Sequence, residues 1–307
     1  MEIRRLDCFC LAADRGICMK KILFLLTVCL LLAGCGAAEK SDGRLQVAAS
    51  FYPMAEFTKA VGGDKVQVSV LVPDGAEPHD WEPSPRDLTR LGHARVFVYN
   101  GMVEPWAGQA LEALSERDIL PVQAGEGLYT RSDGVNDPHV WISPRRAMEE
   151  VRRITEGLCR ADAANAEYYR KNSKAYIAEL SALDKRLQKA AAAARHKSFV
   201  TAHAAFGHLA SDYGLRQLAV TGISPEAEPT PADMRRLIKI VRQEQIGWIF
   251  FETLTDPKIS RLLAAETGAR TGVLDPLEGL DEKGRSEGLN YLTIMERNID
   301  ALEKALN

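Results

Sequence analysis

Residues 144–195 carry no strand signal and are dense in Ala, Glu, Arg, Lys and Leu, while short β-rich runs alternate with helical ones on either side. That interruption limits the fold more than any other feature of the chain. The first series places apolar or β-branched runs at 44–49, 66–73, 94–100 and 119–122, with helical stretches at 54–61, 85–91 and 104–116 between them. The second places them at 198–202, 215–222, 247–252 and 271–274, with helices at 204–213, 231–243, 257–267 and roughly 286–306. Strands alternating with helices of this length build parallel sheets covered on both faces. The expected class is therefore α/β, with two (β/α)₄ lobes joined by one long backbone helix. Ser143 is placed to cap the first helix of the strandless stretch, with Pro144 at its first position. Asp162-Ala163-Ala164-Asn165 marks a break, and 166–195 then reads as one helix. At 1.5 Å per residue it spans roughly 45 Å, the height of a domain, so it is expected to act as a rod between lobes. The plainer alternative is a long surface helix on a single domain.

The N-terminus carries an address. Lys20 and Lys21 precede an apolar run, 22–32, that ends in Leu32-Ala33-Gly34-Cys35. A basic start, a short apolar core and small residues at the cut describe a secretory signal. The run is well short of the roughly 20 residues a membrane-spanning helix needs. Cys35 after Leu-Ala-Gly resembles a bacterial lipobox, which makes Cys35 the expected lipidation site and the first mature residue. Residues 1–18 fit no targeting logic, and Met19 is the better start. The expected organisation is an upstream extension at 1–18, a signal at 19–34, a lipidated tether at 35–44, a first lobe at 45–165, the linking helix at 166–195 and a second lobe at 196–307. Cys8, Cys10, Cys18 and Cys29 fall before the cut, so Cys35 and Cys159 are the mature cysteines and no internal disulfide is expected. Cys159 reads as a small buried apolar residue. A formal net charge of −3 without a basic cluster argues against a nucleic-acid partner.

Four segments carry the chemistry: Glu77-Pro78-His79-Asp80-Trp81, Asp137-Pro138-His139-Val140-Trp141, Thr201-Ala202-His203 and Leu274-Asp275-Pro276-Leu277-Glu278. The first two repeat acidic-Pro-His-x-Trp, each followed by Ser-Pro. All four fall where an apolar strand or turn runs out, the edge at which open α/β sheets bind ligands. Three imidazoles and one carboxylate fill a tetrahedral zinc shell, two from each half of the chain. The expected metal ligands are His79, His139 and His203, with a carboxylate or water as the fourth. Glu278, Asp275 and Glu77 compete for that place. Asp137, Asp80 or Glu77 can instead orient the imidazoles through their other N–H. His93 and His196 read as surface residues. His208 is left out because an i, i+5 pair lies about 140° apart on a helix. Trp81 and Trp141 read as walls of the cleft.

These segments, the linking helix, Gly222-Ile223-Ser224-Pro225-Glu226-Ala227-Glu228-Pro229 and the lipobox together resemble the zinc/manganese solute-binding lipoproteins of ABC importers, the cluster A-I metal-binding family. The resemblance covers essentially the whole mature chain. It implies a metal held between two (β/α)₄ lobes and handed to a membrane permease by a monomeric, extracytoplasmic, lipid-anchored protein. His at position 203 implies the zinc-type subgroup and Zn²⁺ as cargo, with Mn²⁺ as the alternative. The Pro276-Leu277-Glu278 run implies Glu278 as the fourth ligand, although other relatives use an Asp at the position of Asp275. Residues 129–136 lack the His-rich loop of many zinc members, so no scavenging role carries over. A zinc hydrolase would keep an open water position. The chain shows no His-Glu-x-x-His helix and no Gly-x-Ser-x-Gly turn, so no enzymatic activity is expected. A surface adhesin fits the anchor but leaves the histidines without a use.

Overall fold

The computed structural model describes residues 43–132, 135–225 and 228–307. The expected extension, signal and Cys35 lie outside them, as do Glu226 and Ala227 of the Gly222 to Pro229 motif. β1 (Leu45–Ala49), β2 (Val66–Val70), β3 (Val96–Tyr99) and β4 (Leu120–Gln123) form one sheet in the order β2-β1-β3-β4. An antiparallel pair, β5 (Thr130–Ser132) and β6 (Val135–Asp137), follows. β7 (Ser198–Thr201), β8 (Arg216–Ala219), β9 (Trp248–Phe251) and β10 (Arg270–Val273) make the second sheet, in the order β10-β9-β7-β8. Every described pairing in the two larger sheets is parallel. The central strands Val96–Tyr99 and Trp248–Phe251 read Val-Phe-Val-Tyr and Trp-Ile-Phe-Phe, the uninterrupted apolar composition of strands covered on both faces.

The connecting helices are α1 (Tyr52–Gly62), α2 (Pro85–Leu91), α3 (Ala107–Ala113), α4 (Pro144–Ala161), α5 (Ala166–Ala193), α6 (Gly207–Tyr213), α7 (Pro231–Gln243), α8 (Lys258–Thr267), α9 (Glu282–Ser286) and α10 (Tyr291–Leu306). The α/β class with two parallel sheets and a long linking helix is as expected. α5 has 28 residues, about 42 Å of helix. Among its buried side chains, Tyr169, Ser173, Leu180, Leu183, Leu187 and Ala190 fall three, four or seven residues apart along one mainly apolar stripe, with Ala191 beside it. That stripe packs on α1 and α4 from the first half and on α10 from the second. The largest apolar cluster accordingly takes residues from both halves, and Phe57 of α1 meets Tyr291 of α10 edge-on with ring centroids 4.8 Å apart.

Several local expectations are corrected. Ser143 occupies the N-cap of α4 but makes no capping bond; its hydroxyl donates to Asp212 Oδ2 at 2.6 Å, tying α4 to α6. Ser84 does cap α2, in a reciprocal box with Asp87. The expected helix at 104–116 shortens to 107–113 because the Glu104 carboxylate accepts from the Asn100 and Gly101 N–H groups and holds a turn there. The C-terminal helix begins at Tyr291, not at 286. Gly288 turns the chain at φ +68° and Asn290 opens a new capping box. Cys159 is only half-buried. The β5–β6 pair precedes His139 where no strand was expected.

Candidate metal centre

The connection after β2 carries His79 as far as the Ser84-capped start of α2, and Glu77 Oε1 accepts the His79 N–H at 3.2 Å. β6 leads through Pro138 into His139, and a short 3₁₀ turn, Val140–Ile142, then delivers the chain to α4. β7 ends two residues before His203, and β10 runs into the turn that carries Glu278. His79, His203 and Glu278 thus follow the carboxyl ends of strands in the two parallel sheets, where the alternation of elements put them, whereas His139 leaves the antiparallel pair.

The four side chains converge. His79 Nε2 and His139 Nε2 are 3.0 Å apart. Glu278 Oε1 lies 3.3 Å from His79 Nε2, 3.2 Å from His139 Nε2 and 3.4 Å from His203 Nε2. One donor atom from each residue falls within 4.8 Å of all the others. A tetrahedral shell with bonds of 2.0–2.1 Å has an edge of roughly 3.3 Å, which the four separations of 3.0 to 3.4 Å match. His139, His203 and Glu278 are buried, and His79 closes the outer side.

The other contenders are engaged elsewhere. Asp275 accepts from Leu277 N at 2.8 Å and from the Thr253 hydroxyl at 3.1 Å, which makes it the brace of its own turn. Asp80 is exposed. Glu77 holds the His79 backbone, and burial followed by the Glu278 charge pushes its carboxyl up to about 7. Asp137 does orient an imidazole: its Oδ1 accepts both the His139 N–H at 2.9 Å and Nδ1–H at 2.7 Å. Gly207 makes room for that carboxylate, since a Cβ at 207 would sit 2.6 Å from Asp137 Oδ2. His208 is buried behind the cluster, with Nε2 bonded to the Asp137 carbonyl at 2.9 Å and Nδ1 to the Thr130 hydroxyl at 3.0 Å. It supports the His139 loop from the second half. Trp141 is fully buried, 5.2 Å from His139 between ring centroids, and its Nε1–H donates to the Pro276 carbonyl at 2.8 Å. The His139 and Glu278 turns are thereby tied to each other. Trp81 is half-buried and packs edge-on against Trp106; His93 and His196 are exposed.

Sequence reasoning missed Glu252. It is 2% exposed, and its two oxygens accept the His203 N–H at 3.0 Å and Nδ1–H at 2.7 Å. The available signal was an ionisable residue directly after the apolar strand Trp-Ile-Phe-Phe, an expensive place for a charge without a partner.

The electrostatics are those of an anion ringed by imidazoles. Burial by itself would raise the Glu278 carboxyl, but the His203 charge and bonds from His139, His203 and His79 hold it well below the ordinary range. For His203, burial is outweighed by the Glu278 charge and the Glu252 bond, which push it up to about 10. His139 rises for the same kind of reason, through Asp137 and Glu278, whereas burial keeps His79 low. Without a metal the carboxylate is neutralised by protons; a divalent cation would take their place.

Residues 47–305 match the model of one protein family, zinc-uptake complex component A, periplasmic. The chain belongs to this family. The Bacillus subtilis high-affinity zinc uptake system protein ZnuA is 39% identical, over 92% of this chain and 97% of that one. The zinc-binding lipoprotein AdcA of Streptococcus pneumoniae is 38% identical over 93% of this chain, which spans only 61% of AdcA's length. The crystal structure of the Zn(II)-bound ZnuA-like domain of that AdcA superposes with a TM-score of 0.78 at 39% identity, covering 86% of this chain and 99% of the domain. The zinc-uptake family is one of extracytoplasmic solute-binding components of transport systems.

Proposed function

We propose that the chain is the receptor of a zinc importer, capturing Zn²⁺ between its lobes with His79, His139, His203 and Glu278 and delivering it to a membrane permease of the ABC type. The observation that carries this reading is the convergence of three imidazole nitrogens on one carboxylate oxygen at tetrahedral-edge distances. Three imidazoles favour Zn²⁺ over the harder Mn²⁺. A shell closed by Glu278 leaves no position for a reactive water, so the reading is capture without catalysis. The same reading takes 45–165 and 196–307 as the lobes of a monomer, 166–195 as the rod between them and Cys35 as the lipid anchor to the bacterial cell membrane.

The test is elemental analysis of protein purified without added metal, followed by competition with a chelator of known affinity. One equivalent of zinc, held far more tightly than manganese, is the expected outcome. Substoichiometric zinc that the chelator removes without competition would end the proposal.

A further inference from the structure

The first sheet runs β2-β1-β3-β4, so the chain leaves β1 on one side to make β2 and returns on the other to make β3. That reversal puts the switch point, where open α/β sheets take ligands, between the carboxyl ends of β1 and β3. Neither strand leads directly to a zinc ligand. Ser50 follows β1, Asn100 follows β3, Glu104 comes in the turn beyond, and Glu150 of α4 faces Asn100 and Glu104. Ser50, Asn100 and Glu150 are fully buried and Glu104 is 2% exposed. We propose that these four residues hold a hard divalent cation of the Ca²⁺ or Mg²⁺ kind, a structural ion apart from the transported zinc.

Among the described residues, neither Glu150 oxygen nor Ser50 Oγ has a hydrogen-bond partner. Ser50 faces Glu104 closely enough to lower its carboxyl, yet makes no bond of good geometry to it. Arg153, the cation beside Glu150, spends its guanidinium on the Ala124 and Glu126 carbonyls. Asn100 gives Nδ2 to the Pro138 carbonyl at 3.2 Å. Glu104 does have partners: Oε1 accepts from Asn100 N at 3.1 Å and Oε2 from Gly101 N at 2.8 Å, bonds that favour its charged form. Glu150 is left without a satisfied state of its own. Ionised, it is a buried anion beside a second carboxylate; burial and then the Glu104 charge drive its carboxyl well above the ordinary range. Protonated, it carries an O–H with no acceptor in reach, an unpaired buried donor. A cation between the two carboxylates answers both Glu150 oxygens and the hydroxyl, and two negative charges balance a divalent ion. The donors are all oxygen, from carboxylate, hydroxyl and amide carbonyl, which suits Ca²⁺ or Mg²⁺ and not zinc, the partner of imidazoles. Asn100 ties this ion to the zinc centre, since the carbonyl it holds directly precedes His139.

The experiment unfolds the full, zinc-saturated chain in denaturant at fixed ionic strength, in metal-stripped buffer with Ca²⁺, Mg²⁺ or neither added. Above its Kd, each tenfold rise in the free cation is expected to raise the folded-to-unfolded ratio of the parent about tenfold. Glu150→Gln should abolish that dependence while zinc stays bound, and Ser50→Ala should weaken the cation several-fold. Elemental analysis should find one calcium or magnesium per parent chain beyond the zinc, and none in Glu150→Gln. The infrared band of the protonated Glu150 carboxyl, assigned by its loss in Glu150→Gln, should vanish from the parent when the cation is added. A parent indifferent to both cations overturns the proposal and leaves a trapped water or a bare acid at that point. A response that survives in Glu150→Gln overturns it too, by moving the cation elsewhere. If Glu150→Gln does not fold, unchanged cation affinity in Ser50→Ala overturns it alone.

Discussion

At the scale of single residues, each ligand is expected to matter by a definite share. Complete zinc shells in small peptides are worth about 10–16 kcal/mol, so one ligand of four is worth about 3 kcal/mol, or two orders of magnitude in Kd. Chelator competition on His203→Ala should show that loss, and an affinity equal to the parent would remove His203 from the site. Protons compete for the same nitrogen. With His203 pushed up to about 10, its imidazole must shed a proton to bind metal at neutral pH. Zinc affinity should then climb by up to about tenfold per pH unit through the neutral and mildly alkaline range. The metal-free fold should respond in the opposite sense. A raised imidazole contributes stability that is fully present below its unfolded value of about 6.5 and lost as pH rises toward 10. Calorimetric titration in buffers of differing ionisation heat should register close to one proton released per zinc from this group. Release of none at pH 8 would contradict the assignment.

At the scale of elements, the Asp275–Glu278 turn is the least self-sufficient part of the centre. Leu277 is fully buried and holds φ at +57°, a region that non-glycine residues occupy only at a cost of about 1–3 kcal/mol. Beyond the bond from its N–H to Asp275, what keeps it there comes from α10 and from the His139 turn. Asn298 accepts from Asp275 N at 2.9 Å and donates to the Asp275 carbonyl at 2.7 Å, while Trp141 donates to Pro276. Asn298→Ala leaves two backbone groups in a largely buried turn without partners and should cost about 2–3 kcal/mol in chemical denaturation. It should also weaken zinc binding, because Glu278 loses its support. By contrast Thr230→Ala, which removes the N-cap of α7 at a site that touches no ligand, should cost about 1 kcal/mol and leave zinc affinity unchanged. These dependencies mark the limit of what the sequence discloses. The parallel strands and α5 were legible because apolar runs and helix-forming composition are local properties. His79 and His139 were legible because their segments echo each other, and His203 because it stands just past an apolar strand. That Glu278 and not Asp275 meets the histidines was not legible from the residues, since it rests on the Leu277 conformation and on Asn298, more than 20 residues away. Glu252 was hidden for a related reason: it meets His203 only through the pairing of β7 with β9. The β5–β6 pair has three residues per strand, too few for any alternation to register.

For the whole molecule the question is how far the lobes move when the cation arrives. Hinged receptors join their lobes by extended strands that bend freely; here the connection is α5, whose apolar stripe is clamped by helices from both halves. Contacts between the halves continue away from it. Arg146 forks onto Asp212 with both bonds at 2.8 Å, and Tyr291 donates to the Trp141 carbonyl at 2.5 Å. One apolar cluster runs through both lobes. Opening would have to expose part of that cluster at about 25 cal/mol per Å², so a few hundred Å² would already cost several kcal/mol. Metal loading should therefore tighten the ligand turns without closing a wide cleft. Solution scattering of metal-free and zinc-loaded protein should give radii of gyration within about 1 Å of each other, small beside the roughly 18 Å expected for a compact unit of this size. Stability should nonetheless rise strongly, because a ligand at a thousand times its Kd adds about 4 kcal/mol to the folded state. A large compaction on loading, with little gain in melting temperature, would mean that the rod bends and that the energy of capture goes into moving lobes instead of into the bonds around the cation.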